Sequence, residues 1–346
     1  MASWRDILGR LVNGEDLDRD DTRWIMDQIL TGNATAVPMA AFLAGLRVKG
    51  ETIQEIEGLV DAMLEHAIRI DVPVRSVDLV GTGGDGANTV NITTMASIVT
   101  AGAGLTVVKH GNRAASSTTG SSDVLVELGI NLDATPARVA ELATEVGITF
   151  CPAPAFHSSM KYVGPIRAEL GIATTFNILG PLTNPAQPES SAIGASSREL
   201  APLIAGVLAG QGRSGMVFRG GDGLDELAAS APADVWEVRD GVVELITLNA
   251  VTELGLTAIQ TADLKGGDAS YNASVVHRVL AGEKGPVRDT VLLNAAAGIV
   301  ADGTLAGTAD GSLVERMAAG LKFARESVDS GAAKDVLARW STASYR

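Results

Sequence analysis

One cysteine, Cys151, occurs in 346 residues. No intrachain disulfide can form, and a reducing compartment is the expected setting. Aromatic residues make up 4%, so the core must be aliphatic. Four histidines, scattered along the chain, give with that single cysteine no zinc-ligand pattern. Basic residues are outnumbered, 27 Lys and Arg against 41 Asp and Glu, for a net charge of −14. That balance argues against general binding of nucleic acid or anionic membrane. Any phosphate site must be a local basic island, and Lys109–Arg113 and Lys161–Arg167 are the candidates. No uninterrupted apolar run reaches the ~18 residues needed to span a bilayer. Met1–Arg10 is charged and lacks an apolar signal core, so a cytoplasmic location is expected. No Gly-Lys-Ser/Thr occurs, which excludes a nucleotide-hydrolysing P-loop.

What is present is an aliphatic, glycine-rich composition, 46% hydrophobic with 39 glycines, which points to an α/β protein. The length suggests two domains, or one large domain with a satellite. Residues 1 to about 72 read as helices. Asp21–Leu30 is amphipathic and ends at Gly32. Pro38 can start the next helix, which runs through Lys49 to Gly50. Thr52 and Glu55 form a capping box, and Ile53, Ile56, Leu59, Val60, Met63, Leu64 and Ala67 then share one face. From Val77 the pattern changes to strand–helix alternation, with strands expected at Val77–Val80, Leu105–Val108, Ile148–Cys151, Ser191–Gly194 and Gly215–Phe218. Val235–Arg239 and Val242–Leu248, joined by Asp240-Gly241, predict a hairpin. The expected fold is a small all-helical domain plus a large domain with a central, mostly parallel sheet flanked by helices.

The stretch Asp78–Asp123 carries the chemistry. Glycines 81, 83, 84 and 86 follow a strand and let the backbone approach a ligand closely. Such a turn, with the helix N-terminus after it, makes an anion site. Asn91, Thr93 and Thr94 add neutral donors, while Lys109 and Arg113 add positive charge. Ser116, Ser117, Thr118, Thr119 and Ser121 supply short hydroxyl side chains. Both strand ends are expected to face one pocket that holds a pyrophosphate. The turn also matches a dinucleotide-binding fingerprint, but that fold wants an acidic residue about 20 positions on. Here the second strand runs into Lys109-His110. Asp222-Gly-Leu-Asp225-Glu226 follows a strand; paired carboxylates there suit Mg²⁺, although a solvated acidic turn is the commoner fate. Arg167 is the best candidate for a substrate carboxylate, against the commoner surface arginine. His157 alone reads as a packing residue, and Asp123 as a helix cap.

GTGGDG…NITT, KHGNRAASS and FNILGPLTNP, in that order, resemble the anthranilate phosphoribosyltransferase family, and the likeness runs over nearly the whole chain. The resemblance implies transfer of 5-phosphoribose from phosphoribosyl pyrophosphate to the amine of anthranilate, in tryptophan biosynthesis. It implies Mg²⁺ on Thr93, Asp225 and Glu226, and a catalytic set of Lys109, Arg167, Asp225 and Glu226. It places phosphoribosyl pyrophosphate on Gly81, Gly83, Gly84, Asp85, Thr89, Asn91, Thr93 and Thr94 of the first loop. From the second loop come Lys109, Asn112, Arg113, Ser116, Ser117 and Ser121. Anthranilate falls to Gly81, Asn112, His157, Arg167 and Pro181. The helical domain, residues 1–72, would be completed by about 165–190, leaving 73–164 and 191–346 as the α/β domain, with the site in the cleft between. A homodimer through the helical domain is implied as well. A related nucleoside phosphorylase is the nearest rival, and Asn112 and FNILGPLTNP favour the transferase. The chain departs from the family pattern at Thr93, where a serine is usual, at Arg219, often histidine, and at Ser158, Ala168 and Ala173 on the aromatic-acid side.

Overall fold

The computed structural model describes residues 3–113 and 119–346. Four helices come first: Trp4–Val12, Arg19–Leu30, Ala36–Lys49 and Ile53–Glu65. The second starts two residues before the expected Asp21, because Asp18 caps it by accepting from the Asp21 N–H. The third starts at Ala36 rather than Pro38, with Thr35 at the cap position. A proline within the first turn lacks only an N–H that would be unpaired there anyway. The Thr52–Glu55 capping box forms. Ile25, Met26, Ile29, Phe42, Leu46, Ile56 and Leu59 are buried in one cluster. Val163, Phe176, Ile178 and Leu179, from a much later segment, complete that cluster.

Seven strands follow: β1 Val77–Gly81, β2 Val107–Gly111, β3 Ile148–Pro152, β4 Ser190–Gly194, β5 Ser214–Gly220, β6 Ala233–Arg239 and β7 Val242–Leu248. They form one sheet in the order β3-β2-β1-β4-β5-β6-β7. β1 to β5 run parallel, and β6 and β7 close the edge antiparallel. Asp240 and Gly241, at φ 51° and 76°, make the tight turn of the hairpin, a conformation that Asp-Gly favours. The expected strand Leu105–Val108 is displaced toward the C-terminus. Lys109 and His110 lie inside β2, in register with Phe150 and Cys151. Both side chains are buried, and the strand continues beyond Val108 to Gly111.

The chain steps outward from β1 to β2 and β3, then returns to the other side of β1 as β4. That reversal is the point where an open parallel sheet leaves a crevice at the carboxyl ends of its strands. Gly81 ends β1 and Gly194 ends β4, and the two are paired in register.

Candidate active site

A cleft of about 760 Å³ opens at that crevice. The loop after β1, the end of β2 with the residues that follow it, the helix Gly164–Leu170 and the acidic segment after β5 all contribute to its walls. Gly83, Gly84 and Gly86 adopt φ of 67°, 87° and 74°, which side chains disfavour. The loop therefore turns sharply over the strand end. Its far side is pinned by the Val90 N–H donating to the Leu264 carbonyl and by a bridge from Thr89 to Lys265.

Three carboxylates converge on the cleft. Asp85, Asp225 and Glu226 each offer an oxygen within 4.8 Å of the others. The Gly83 N–H donates to Asp225 Oδ2 at 2.7 Å, and Thr89 Oγ1 donates to Glu226 Oε1 at 3.0 Å. Asp85 Oδ2 and Glu226 Oε2 are buried with no hydrogen-bond partner among the described residues. Burial, then the charge of Asp85, pushes Asp225 up to about 7. Burial, then the charge of Asp225, pushes Glu226 well up. Three crowded carboxylates with two orphaned oxygens form a donor set for a hard divalent cation that prefers oxygen ligands. Asp85 enters this cluster as a carboxylate, a part the sequence reading did not give it. The signal was available, since an acid inside a loop that must hold an anion needs a cation between the two.

Lys109 lines the same cleft. It is almost wholly buried, and its ammonium donates to the Leu79 carbonyl. Desolvation lowers its pKa to about 8, against the opposing pull of Asp78. Asp78 is fully buried and accepts from the His110 N–H at 3.2 Å and Asn184 Nδ2 at 2.9 Å. Asn112 and Arg113 follow β2 into the cleft wall. Arg113 is largely exposed and lies 3.8 Å from Asp123. Asp123 accepts from the Gly120 N–H at 3.0 Å, the capping role read from sequence. Ser121 also lines the cleft, whereas Ser116 and Ser117 lie outside the described residues.

At the other end Arg167 lines the cleft and stacks over Phe176, 5.2 Å from the ring centroid. Asn177 Oδ1 accepts from its guanidinium at 3.4 Å and from the Thr174 N–H at 3.2 Å. Burial lowers its pKa from the ordinary guanidinium value, and a guanidinium stays charged throughout.

Gly81, Gly83, Gly84, Asp85, Thr89, Asn91, Thr93, Asp225 and Glu226 all stand on the cleft wall. Thr94, His157 and Pro181 do not. Thr94 is buried one helical position on from Thr93 and donates to Ser121 Oγ at 3.2 Å. Pro181 is buried inside the helix Phe176–Leu182. His157 is buried, and its Nε2 bonds the Thr183 carbonyl at 2.9 Å. Its ring packs 5.2 Å from that of His110, whose Nδ1 bonds the Gly180 carbonyl at 2.9 Å. A carbonyl only accepts, so each of these ring nitrogens carries the hydrogen. Desolvation lowers both histidines to about 4, so both rings are neutral. Sequence reasoning missed Asn177 and Ser196. The Ser196 hydroxyl donates to the Gly83 carbonyl at 2.8 Å, while its N–H donates to Thr82 Oγ1 at 3.0 Å.

Residues 74–334 match the glycosyl transferase family α/β domain, and residues 5–67 match its helical bundle domain. The chain is 54% identical to an anthranilate phosphoribosyltransferase from Arthrobacter sp. (strain FB24), over 98% of this chain and 95% of that one. It is 55% identical to one from Streptomyces avermitilis, over 99% and 95%. Among solved structures, anthranilate phosphoribosyltransferase from Thermus thermophilus superposes with a TM-score of 0.90 at 38% identity, covering 98% of this chain and 99% of that one. The Saccharomyces cerevisiae enzyme in complex with phosphoribosyl pyrophosphate and Mg gives 0.88 at 28% identity, over 99% and 98%. On these matches the chain belongs to the anthranilate phosphoribosyltransferase family.

Proposed function

We propose that this chain transfers 5-phosphoribose from phosphoribosyl pyrophosphate to the amine of anthranilate, with Mg²⁺ as cofactor. The bond from the anomeric carbon to the pyrophosphate oxygen breaks, the bond to nitrogen forms, and the nitrogen then gives up a proton. The observation that carries this reading is one cleft holding the glycine loop, Lys109 and three carboxylates at one end and Arg167 at the other.

Bond breaking places charge on the pyrophosphate, and the transition state resembles an oxocarbenium ion. Mg²⁺ held by Asp225 and Glu226, with Asp85 beside them and Thr93 on the same wall, supplies neutralisation of that charge. The N–H groups of the glycine loop and the helix start at Ile92 direct partial positive charge at the same end. Lys109 adds a full charge there, and Asn112, Arg113, Ser116, Ser117 and Ser121 complete the donor side. Arg167 holds the carboxylate of anthranilate, with Asn112 and Gly81 beside it. Anthranilate attacks as a neutral amine, so orientation supplies much of the remaining acceleration.

The helices of residues 1–72, completed by about 165–190, form the small domain, and 73–164 with 191–346 form the α/β domain. The packing of Phe176, Ile178 and Leu179 in one apolar cluster with Phe42 supports that division. The chain works in the cytoplasm as a homodimer through its helical domain. Val12 and Val48 on the early helices, 85% and 88% exposed, support a covered face there. The buried lone cysteine supports the reducing compartment, and among the described residues no helix is long and apolar enough to cross a membrane.

The test is a fluorescence assay following loss of anthranilate with phosphoribosyl pyrophosphate and Mg²⁺ present. Turnover that requires both substrates and the metal is expected. Turnover of a nucleoside with free phosphate instead would overturn the reading.

A further inference from the structure

Asn91 is the cap residue of the helix Ile92–Gly102, yet its side chain does not cap that helix. An asparagine there ordinarily accepts from one of the first helical N–H groups and adds about 1 kcal/mol of stability. Instead, Asn91 Nδ2 donates to the Thr119 carbonyl at 3.1 Å, and Asn91 Oδ1 accepts from Asn272 Nδ2 at 2.9 Å. Asn272 Oδ1 accepts from the Gly267 N–H at 2.9 Å, and Thr119 Oγ1 donates to the Gly267 carbonyl at 2.8 Å. The four contacts close a ring.

The ring fixes both amides. Thr119 offers a carbonyl, which only accepts, and Gly267 offers an N–H, which only donates. Between those ends Asn272 must present its oxygen to Gly267 and its nitrogen to Asn91. Asn91 must then present its oxygen to Asn272 and its nitrogen to Thr119. Asn272 is 2% exposed, so a broken member of the ring would leave buried polar groups unpaired. Asn91 follows the loop after β1, and Thr119 belongs to the segment after β2. Both residues line the cleft. Asn272 lies on the helix Ala269–Leu280 and is absent from the cleft wall.

We propose that Asn272 is a positioning residue for the phosphoribosyl end of the cleft. It sets the spacing of Asn91 and Thr119 and orients the Asn91 amide. An amide nitrogen carries two hydrogens. With one held by Thr119, the second is directed at the bound ligand. The uncapped N–H groups at the start of the helix are left for the same anion. This inference rests on the proposed transferase activity.

The test is a double-mutant cycle on Asn91→Ala and Asn272→Ala, with Asn272→Asp added, reading KM for each substrate and the melting temperature. Asn272→Ala is expected to raise KM for phosphoribosyl pyrophosphate about tenfold, the effect of one buried hydrogen bond. KM for anthranilate should stay within about twofold, well inside the same scale. Asn272→Asp preserves size and the contact to Gly267, and the melting temperature shows whether its buried carboxyl is tolerated; if neither variant at 272 folds, Asn272→Ser, small and uncharged, takes their place. Asn272→Asp loses the donor to Asn91 and should show the same rise. The double variant should be no worse than Asn91→Ala, because Asn272 acts through Asn91. Equal rises in both KM values, additive losses in the double variant, or an unaffected Asn272→Asp would each overturn the assignment. Absence of turnover in the unsubstituted chain would instead overturn the transferase reading and take this inference with it.

Discussion

The Gly83 N–H donates to Asp225 Oδ2 across 2.7 Å, between residues 142 apart in the chain. The contact joins the two halves of the proposed phosphate end. One is a glycine turn that presents N–H groups, and the other is an acidic segment that presents carboxylates. Neither half suffices alone. The turn lacks charge, and the acids repel the phosphates unless a cation stands between them.

Replacing Asp225 and Glu226 together with alanine should therefore abolish Mg²⁺-dependent turnover, with kcat lower by at least about 100-fold. Circular dichroism should show an intact fold, since removing two carboxylates whose buried charge is disfavoured relieves electrostatic cost. Near-normal rates in the same assay would remove the metal role from this pair.

Two glycines set how closely the acidic segment approaches the sheet. A Cβ at residue 81 would lie 2.5 Å from Asp225 Oδ2, a side-chain atom that can swing aside. A Cβ at residue 194 would lie 1.5 Å from the Asp225 carbonyl oxygen and 2.6 Å from its carbon. That is backbone and must be displaced bodily. Gly194→Ala is expected to cost about 1–3 kcal/mol of stability or more, visible as a lowered melting temperature. Gly81→Ala should melt within a few degrees of the parent and lose activity through a displaced Asp225. The reverse ranking in thermal melts would show that the segment docks differently.

Arg167 tests the other end. Among the described residues its guanidinium has one weak hydrogen bond, to Asn177, and an aromatic face beneath it, which supports the proposal that its remaining donors take a ligand carboxylate. Arg167→Ala should raise KM for anthranilate by about 10- to 100-fold, the range for a charge-assisted hydrogen bond. KM for the phosphoribosyl donor should change far less. Steady-state kinetics with each substrate varied in turn decides it, and equal effects on both would argue against carboxylate recognition.

Much of this was legible in residue types alone. The alternation of Val77–Val80, Ile148–Cys151 and Ser191–Gly194 with helical stretches announced a parallel sheet, and Asp240-Gly241 announced the edge hairpin. KHGNR beside GTGGDG marked one pocket because basic residues are scarce in so acidic a chain. What escaped depends on long-range closure. Asp85 was expected on phosphoribosyl pyrophosphate and not in a carboxylate cluster, because its partners Asp225 and Glu226 are far away in the sequence. Asn177 and Asn272 are single amides with no local pattern, and only packing brings them to Arg167 and Asn91. Lys109 and His110 were read as the residues a strand runs into, and the structure places them inside it. Asp78 and the carbonyls of Leu79 and Gly180 make their burial tolerable.

The two buried histidines give the protein an acid limit. His110 and His157 pack ring to ring, and each donates to a carbonyl in a dry site. Their folded pKa values lie near 4, against about 6.5 in the unfolded chain. Between those values the unfolded chain binds more protons than the native one, so stability rises with pH across that window and falls on acidification. Each ring contributes a loss of up to about 3 kcal/mol when the pH drops from 6.5 toward 4. Carboxylates whose folded pKa is raised work in the opposite sense, and Asp78, Asp225 and Glu226 offset the histidines in the net slope. Replacing both histidines with glutamine, which still donates to a carbonyl but does not titrate, separates the two contributions. Chemical denaturation at pH 7.5, 6 and 5 should show the stability of the parent falling relative to that of the doubly substituted chain as the pH is lowered. Parallel slopes would mean that the rings do not govern the acid limit.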